Sequence, residues 1–383
     1  MKYYNTIILG SGASGIMCAL NIDKYKVAML EISSKPFKKI LVTGNGRCNI
    51  TNNKIYKFSY NQNLDIFFDK VYYKHTLTFF QELGLECYAD TEGRYYPISN
   101  MAKSVQDVVL QKLENKVDIF TMQEIININK EEDEFIISTT NNFFKCKNLV
   151  VATGGASENL LDILNVKYKK FIPSLVALKC DDVKGLSGIR LTNVKVSVNI
   201  GDISYSEIGE VLYKEGGLSG IVIFNVSALF ARSGKFLGKI KIDLLPNMSF
   251  EQLKQKLIDR KKLNVRLDKI FVGMFANAIA NEIFRQSKVN TNINSIDINE
   301  NMINILTKTI KNLEYTVCGC FDNNQVYSGG VALKDLKNNL MYKYINNLYF
   351  IGEVCDVDGM CGGYNLQWAW TSGKIVGESI CCN

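Results

Sequence analysis

The run Gly10-Ser11-Gly12-Ala13-Ser14-Gly15 fits G-x-G-x-x-G, a spacing suited to holding a pyrophosphate. Gly10 allows a tight turn, Gly12 allows the backbone to approach a phosphate, and Gly15 lets a helix pack closely on a strand. Twenty residues of chain separate Ser11 from Glu31, an acid placed to accept hydrogen bonds from ribose hydroxyls, and its charge argues against a 2′-phosphate there. Three more polar, glycine-punctuated segments carry chemistry. They are Thr43-Gly44-Asn45-Gly46-Arg47-Cys48-Asn49-Ile50-Thr51-Asn52, then Ala152-Thr153-Gly154-Gly155, then Gly352-Glu353 followed by Asp356 and Gly363-Tyr364-Asn365-Leu366.

The elements needed to position these groups are readable in outline. Residues 5–9 form a short apolar strand that runs straight into the glycines, residues 16–22 an apolar helix, and residues 27–31 the next strand, which opens a Rossmann unit. Residues 64–83 read as one amphipathic helix stopped by Gly84. Residues 85–99 read as two strands around Thr91–Arg94, and residues 101–113 as a second helix. Residues 117–153 give several strands, and residues 171–245 are β-rich, with Val194, Val196, Val198 and Ile200 alternating with polar neighbours. Residues 249–312 turn helical, starting at the capping-box pattern Ser249–Gln252. A strand at 347–351 and a helix at 365–380 close the chain.

The chain has 383 residues, enough for two or three domains. Its formal charge is +7, from 45 basic and 38 acidic residues, and this mild excess argues against a dedicated nucleic-acid binder. No apolar run is long enough for a membrane span, and the apolar start continues into glycines rather than a cleavage site. The eleven cysteines sit mostly alone in apolar stretches, which points to reduced thiols and a cytoplasmic setting. Nothing has the spacing of a metal site. The single histidine, His75, lies in the expected 64–83 helix and reads as a surface or structural residue.

The long polar loop after Glu31 separates FAD from NAD. An NAD domain would continue into βαβ, whereas this loop suits a longer cofactor. The start of the last helix, at Gly363–Leu366, suits the pyrimidine edge of a flavin, where its dipole would stabilise charge on reduction.

These segments resemble the HI0933-like flavoproteins, also called the BaiN family or the aminoacetone-oxidase-family FAD-binding enzymes. The similarity extends over nearly the whole chain. It is carried by residues 43–52, Gly93–Pro97, Pro173–Leu175, Gly217–Gly220, Gly329–Val331 and Gly352–Gly359 through Gly363–Gln367. The resemblance implies an α/β protein: a Rossmann-like FAD-binding domain of two-dinucleotide-binding type, with an inserted β-rich domain and a helical subdomain. The corresponding segments are 1–168, 169–248, 249–313 and 314–383. It also implies that Gly10–Gly15 hold the pyrophosphate and Glu31 the adenosine ribose. Lys39, Gly46 and Arg47 would lie along the cofactor, Ile125 at adenine, Glu353 at the ribityl chain, and Asn365 and Leu366 at the flavin. The chain departs from the family after Ser157, where a glycine-rich stretch and a helix are replaced by a short run to Pro173.

No second G-x-G-x-x-G follows a strand, so NAD(P)H, if it is the donor, visits the substrate cleft transiently. With histidine scarce, Tyr364 is the candidate proton donor, Arg94 a candidate for orienting an anionic substrate, and Cys48 a candidate redox or substrate-facing thiol. Arg94 fits equally a role in fixing its hairpin. The expected activity is NAD(P)H-driven reduction of a small organic substrate by hydride transfer through flavin N5. An FAD-dependent amine oxidase using O₂, and a flavin-binding or RNA-associated protein without turnover, are the alternatives. The oligomeric state is not readable.

Overall fold

A computed structural model describes residues 1–23, 26–55 and 59–382. The chain starts in the buried strand β1 (Lys2–Leu9), turns through the glycines into α1 (Ala13–Leu20), and returns in β2 (Val27–Leu30). Next come β3 (Thr51–Asn52), α2 (Asp65–Phe68), α3 (Tyr73–Glu82), β4 (Cys87–Ala89) and β5 (Arg94–Pro97), whose strands pair in the order β3-β5-β4. Then follow α4 (Ala102–Leu113), β6 (Val117–Phe120), the meander β7 (Ile125–Glu131), β8 (Glu134–Thr139) and β9 (Phe143–Val151), then α5 (Glu158–Ile163) and β10 (Lys169–Ser174).

The chain then builds a second unit, residues 173–325. It contains β11 (Leu178–Cys180), β12 (Arg190–Ile200), β13 (Ile203–Lys214), β14 (Gly217–Ser219), α6 (Ile221–Ser233), β15 (Gly238–Asp243), α7 (Phe250–Lys261), α8 (Asn277–Ser287), α9 (Glu300–Lys311) and β16 (Leu313–Cys320). Six strands close a barrel in the order β11-β14-β13-β12-β15-β16. Barrel and helices share one apolar core, into which Val194, Val196 and Val198 point. Ser249 caps α7 as its sequence pattern indicates: its Oγ accepts from the Gln252 N–H, and Gln252 Oε1 accepts from the Ser249 N–H.

Returning at Val326, the chain adds β17 (Val326–Gly330), which pairs with β10, then β18 (Leu348–Phe350) and α10 (Tyr364–Cys382). In this first unit β6, β2, β1, β9 and β18 lie side by side and all run parallel. β9 forks, pairing through 143–146 with β8 and through 149–151 with β18. The carboxyl ends of β1, β2, β9 and β18 therefore share one edge, and each leads into a segment singled out above. In parallel α/β sheets this is the edge where ligands bind.

Two sequence readings need correction. The expected single helix over 64–83 is two helices broken at residues 69–72, where Tyr72 is extended (φ −97°, ψ 172°). Phe67 in the first helix and Thr76 and Phe80 in the second are all buried, so the apolar periodicity continues across the break. The stretch expected to be β-rich contains the helix α6. Its sequence, rich in Ile, Val and Phe, lacks a polar stripe because eight of its residues are buried. Burial here overrides β-propensity.

Candidate dinucleotide site

The three glycines of the opening motif meet different surroundings. Gly10 has φ +96°, and a Cβ there would sit 2.7 Å from the Ala152 carbonyl oxygen. A Cβ on Gly15 would sit 2.3 Å from the Gly10 carbonyl oxygen. Both glycines are explained by packing within the protein. Gly12 is not: nothing lies within 4 Å of the place its Cβ would occupy, and its φ of −78° suits any residue. Gly12 is the N-cap of α1, which has no side-chain cap and no acid in its first turn. The helix thus presents bare N–H groups and partial positive charge to open space, an arrangement that fits a pyrophosphate. Ser11, Ala13 and Ser14 complete this turn.

Glu31 is fixed just beyond β2. Oε2 accepts from the Ser11 N–H (2.9 Å) and hydroxyl (2.5 Å), and Oε1 from the Ser33 N–H (2.9 Å). Burial raises the carboxyl pKa, but these bonds to Ser11 and Ser33 outweigh it and hold Glu31 below the usual carboxylate range. Ile125 opens β7 two residues after Gln123, whose N–H donates to the Glu31 carbonyl (2.9 Å), so it lies near the acid.

The remaining loops converge on the same edge. Lys39 Nζ lies 2.8 Å from Glu353 Oε2, and Glu353 Oε1 accepts from the Tyr327 N–H (2.8 Å). Ala152, Thr153 and Gly154 follow β9, and a Cβ on Gly154 would lie 3.4 Å from Glu353. Gly352, with φ +72°, lies against Ser14. Two residues of α10 hold it: Ser372 Oγ accepts its N–H (2.9 Å), and Trp368 Nε1 donates to its carbonyl (3.0 Å).

The loop 43–52 is fastened along α10. Thr43 Oγ1 donates to the Ile40 carbonyl (2.7 Å), and Gly44 and Gly46 both have positive φ. The Arg47 guanidinium stacks over Tyr96, 4.4 Å from its centroid. Trp370 Nε1 donates to the Ile50 carbonyl (3.0 Å), Thr51 Oγ1 to Gln367 (2.6 Å), and Asn52 Nδ2 to the Gly362 carbonyl (3.0 Å). The sequence reading passed over Asn49 in this loop. It is 8% exposed, and its Oδ1 has no hydrogen-bond partner among the described residues.

Several candidates are already engaged. Cys48 is fully buried, and burial pushes its thiol up to about 12, with only a partial offset from Thr43. A thiol so protonated is a poor nucleophile. Arg94 pairs with Asp90 (2.7 Å) and Glu92 (3.1 Å), which fixes its hairpin. Tyr364 donates its hydroxyl to the Lys54 carbonyl (2.9 Å). Asn365 binds both the N–H and the carbonyl of Gly359 (2.8 and 2.9 Å), so its side chain pins the preceding loop. Leu366 is half-buried in the first turn of α10. Asp356 is 2% exposed, with Lys169 Nζ at 2.6 Å and Asn61 and Gln62 nearby. Gly363 has φ +97°. His75 is structural: its Nδ1 accepts the Tyr72 N–H (3.0 Å) at the start of α3.

Residues 4–379 match the family described as HI0933-like protein Rossmann domain. The chain belongs to this family. Its fold is a Rossmann-type domain carrying a barrel-containing insertion. It is 31% identical over 411 residues to the 3-dehydro-bile acid delta(4,6)-reductase of Clostridium scindens, covering 97% of this chain and 98% of that one. It is 28% identical over 412 residues to the ribosomal RNA dihydrouridine synthase of Haemophilus influenzae, covering 99% of each. To the enzyme of that name from Escherichia coli it is 25% identical over 404 residues, covering 99% of this chain and 98% of that one.

Proposed function

We propose that the protein is an FAD-dependent oxidoreductase that reduces a carbon–carbon double bond conjugated with a carbonyl in a small organic substrate, with NAD(P)H as donor. The observation that carries the cofactor assignment is Gly12, a glycine with no protein neighbour to explain it, at the bare N-terminus of α1. Support for the reaction type comes from the relatives. The names of a bile acid delta-reductase and of a dihydrouridine synthase both describe saturation of a ring double bond.

In this reading the α1 N-terminus and Gly12 take the pyrophosphate, and Glu31, held ionised by Ser11 and Ser33, takes the ribose hydroxyls. Ile125 meets adenine, and Lys39 and Glu353 follow the chain between the rings. The first turn of α10 offers its amides to the flavin's pyrimidine edge. A bound FAD supplies hydride acceptance and donation at N5. The protein's part is to seat the cofactor, to keep water from the reacting face and to align the substrate. No disulfide joins the described cysteines, and in this reading the protein works in a reducing, cytoplasmic setting. No helix among the described residues is long and apolar enough to cross a membrane.

The test is anaerobic mixing of FAD-loaded protein with NADH or NADPH, followed by an enone substrate. Bleaching and then recovery of the visible flavin band supports the proposal. No bleaching by either nucleotide, together with peroxide released when an amine is supplied in the presence of O₂, would make it an amine oxidase. A second substrate reading, a uridine in ribosomal RNA, is favoured by the two synthases aligned over 99% of this chain. Dihydrouridine formed in ribosomal RNA by the reduced protein would select it.

A further inference from the structure

Asp356 stands in the segment of chain that joins Glu353 to the start of α10. It is 2% exposed, and the Asn61 and Gln62 amides each lie 3.4 Å from its carboxylate. Lys169 also reaches it, with Nζ 2.6 Å from Oδ2. The lysine side chain is 67% exposed, although its tip is pinned. An ordinary surface ion pair joins two mobile side chains and holds neither firmly. Here one partner is buried, so an ammonium is fixed in place while its flank stays open to solvent. The backbone adds to this. Lys169 begins β10, which pairs with β17, and a Cβ on Gly329 would lie 2.4 Å from the Lys170 carbonyl oxygen. The Tyr327 N–H donates to Glu353 (2.8 Å), the Val331 N–H to the Val354 carbonyl (2.9 Å), and the Asp356 N–H to the Val331 carbonyl (2.8 Å). Lys169 is thereby tied to residues 353–356. In the proposed reading the flavin ring lies between Glu353 and the first turn of α10, and Asp356 belongs to the backbone that connects these two contacts.

Hydride addition to a double bond conjugated with a carbonyl drives negative charge onto the carbonyl oxygen. A cation fixed beside that oxygen lowers the barrier. Other groups near this edge are committed elsewhere: Lys39 to Glu353, Arg47 to the Tyr96 ring, Arg94 to Asp90 and Glu92, and the Tyr364 hydroxyl to the Lys54 carbonyl. Lys169 is charged, held and reachable.

We propose that Lys169, with Asp356 as its positioning residue, takes the carbonyl oxygen of the substrate and stabilises the enolate. The inference rests on the proposed function for the reaction, and on the Lys169–Asp356 geometry for the residue. The β carbon gains a hydride, with two electrons, from the reduced flavin. The π pair of the double bond shifts, and its charge gathers on the carbonyl oxygen beside Nζ. A proton from water then forms the new bond at the α carbon, and NAD(P)H restores the two electrons to the flavin. An enone and the uracil ring both carry such an oxygen in conjugation with a carbon–carbon double bond.

The experiment compares wild type with Lys169→Met, Lys169→Arg and Lys170→Met as FAD-loaded full chains. The probe is para-hydroxybenzaldehyde, whose phenolate oxygen mimics the enolate oxygen. Its binding to the oxidised protein is read from the long-wavelength charge-transfer band of a phenolate stacked on flavin, which requires no turnover. Separately, dithionite-reduced protein is mixed anaerobically with cyclohexenone or uridine, and flavin reoxidation is timed. FAD affinity of each variant is the control for a structural role.

K169M should bind the phenolate about tenfold more weakly and be reoxidised about a hundredfold more slowly than wild type. K169R should recover part of both losses, and K170M should match wild type. Equal phenolate binding and equal reoxidation in K169M and wild type overturn the proposal. So do losses in K169M that K170M shares, or that a fall in FAD affinity accounts for. A reduced wild type that neither acceptor reoxidises contradicts the proposed function separately, and the phenolate titration then decides whether Lys169 seats an anionic oxygen.

Discussion

Half-buried Glu31 and fully buried Cys48 end in opposite protonation states. Glu31 keeps its charge because three hydrogen bonds from Ser11 and Ser33 compensate burial, whereas Cys48 has no such set and stays protonated. For Glu31 the folded pKa lies below the ordinary 4.5. Its contribution to stability is therefore complete above that value and is lost as pH falls through the lower folded one. E31Q should unfold at a lower temperature than wild type near neutral pH, with the gap closing as a pH series of melting curves descends below about 4. FAD affinity should fall by about tenfold in the same variant, because the charged acceptor for the ribose is gone. For the cysteines, iodoacetamide followed by mass spectrometry should label exposed Cys318 and Cys382 in the native protein. Buried Cys18, Cys48 and Cys355 should react only on unfolding. Rapid native labelling of Cys48 would restore it as a candidate redox group.

At the scale of elements, the glycines of the opening turn divide into two that are packed against protein and one, Gly12, that faces open space. G15A places a methyl against the Gly10 carbonyl and should cost about 1–3 kcal/mol, seen as a lower unfolding temperature. G12A meets no protein atom at an ordinary φ, so apoprotein stability should hold while FAD affinity, read by fluorescence, drops sharply. If both variants lose stability alike, Gly12 is a packing residue and the open cradle is misread. The packing of Gly10 and Gly15 was legible because strand, glycine loop, helix and acid follow each other directly in sequence. The break at residues 69–72 was not legible: Tyr72 is not a usual cap residue, and its partner His75 gives no common capping pattern. Helix α6 was hidden by its burial, which removes the polar stripe that periodicity needs. Tyr364, Arg94 and Asn365 were chosen by residue type and position. Their side-chain partners, Lys54, Asp90 with Glu92, and Gly359, are set by tertiary contacts that no local pattern encodes.

On the scale of the whole molecule, the chain brings residues more than three hundred positions apart to one sheet edge. Lys39 meets Glu353, Ser14 meets Gly352, and Thr51 meets Gln367. The contact of α1 with α10 is close because Gly373 and Gly377 have no side chains; a Cβ on them would sit 2.4 and 2.6 Å from the Ser14 and Cys18 carbonyl oxygens. That contact carries Gly352 and the start of α10 to the cradle opened by Gly10–Gly15. The family match over residues 4–379 spans both units, so the insertion belongs to the shared architecture. The central claim is that this edge holds FAD and that the bound flavin is reduced by a nicotinamide for use on an electron-accepting double bond. The most direct measurement is an anaerobic titration of purified, FAD-supplemented protein with NADH and then NADPH, following the visible flavin band. The account predicts a flavin band that copurifies or forms on adding FAD, bleaches with one of the two donors, and returns when an enone or uridine substrate is added. A protein that acquires no flavin band even with excess FAD would contradict it.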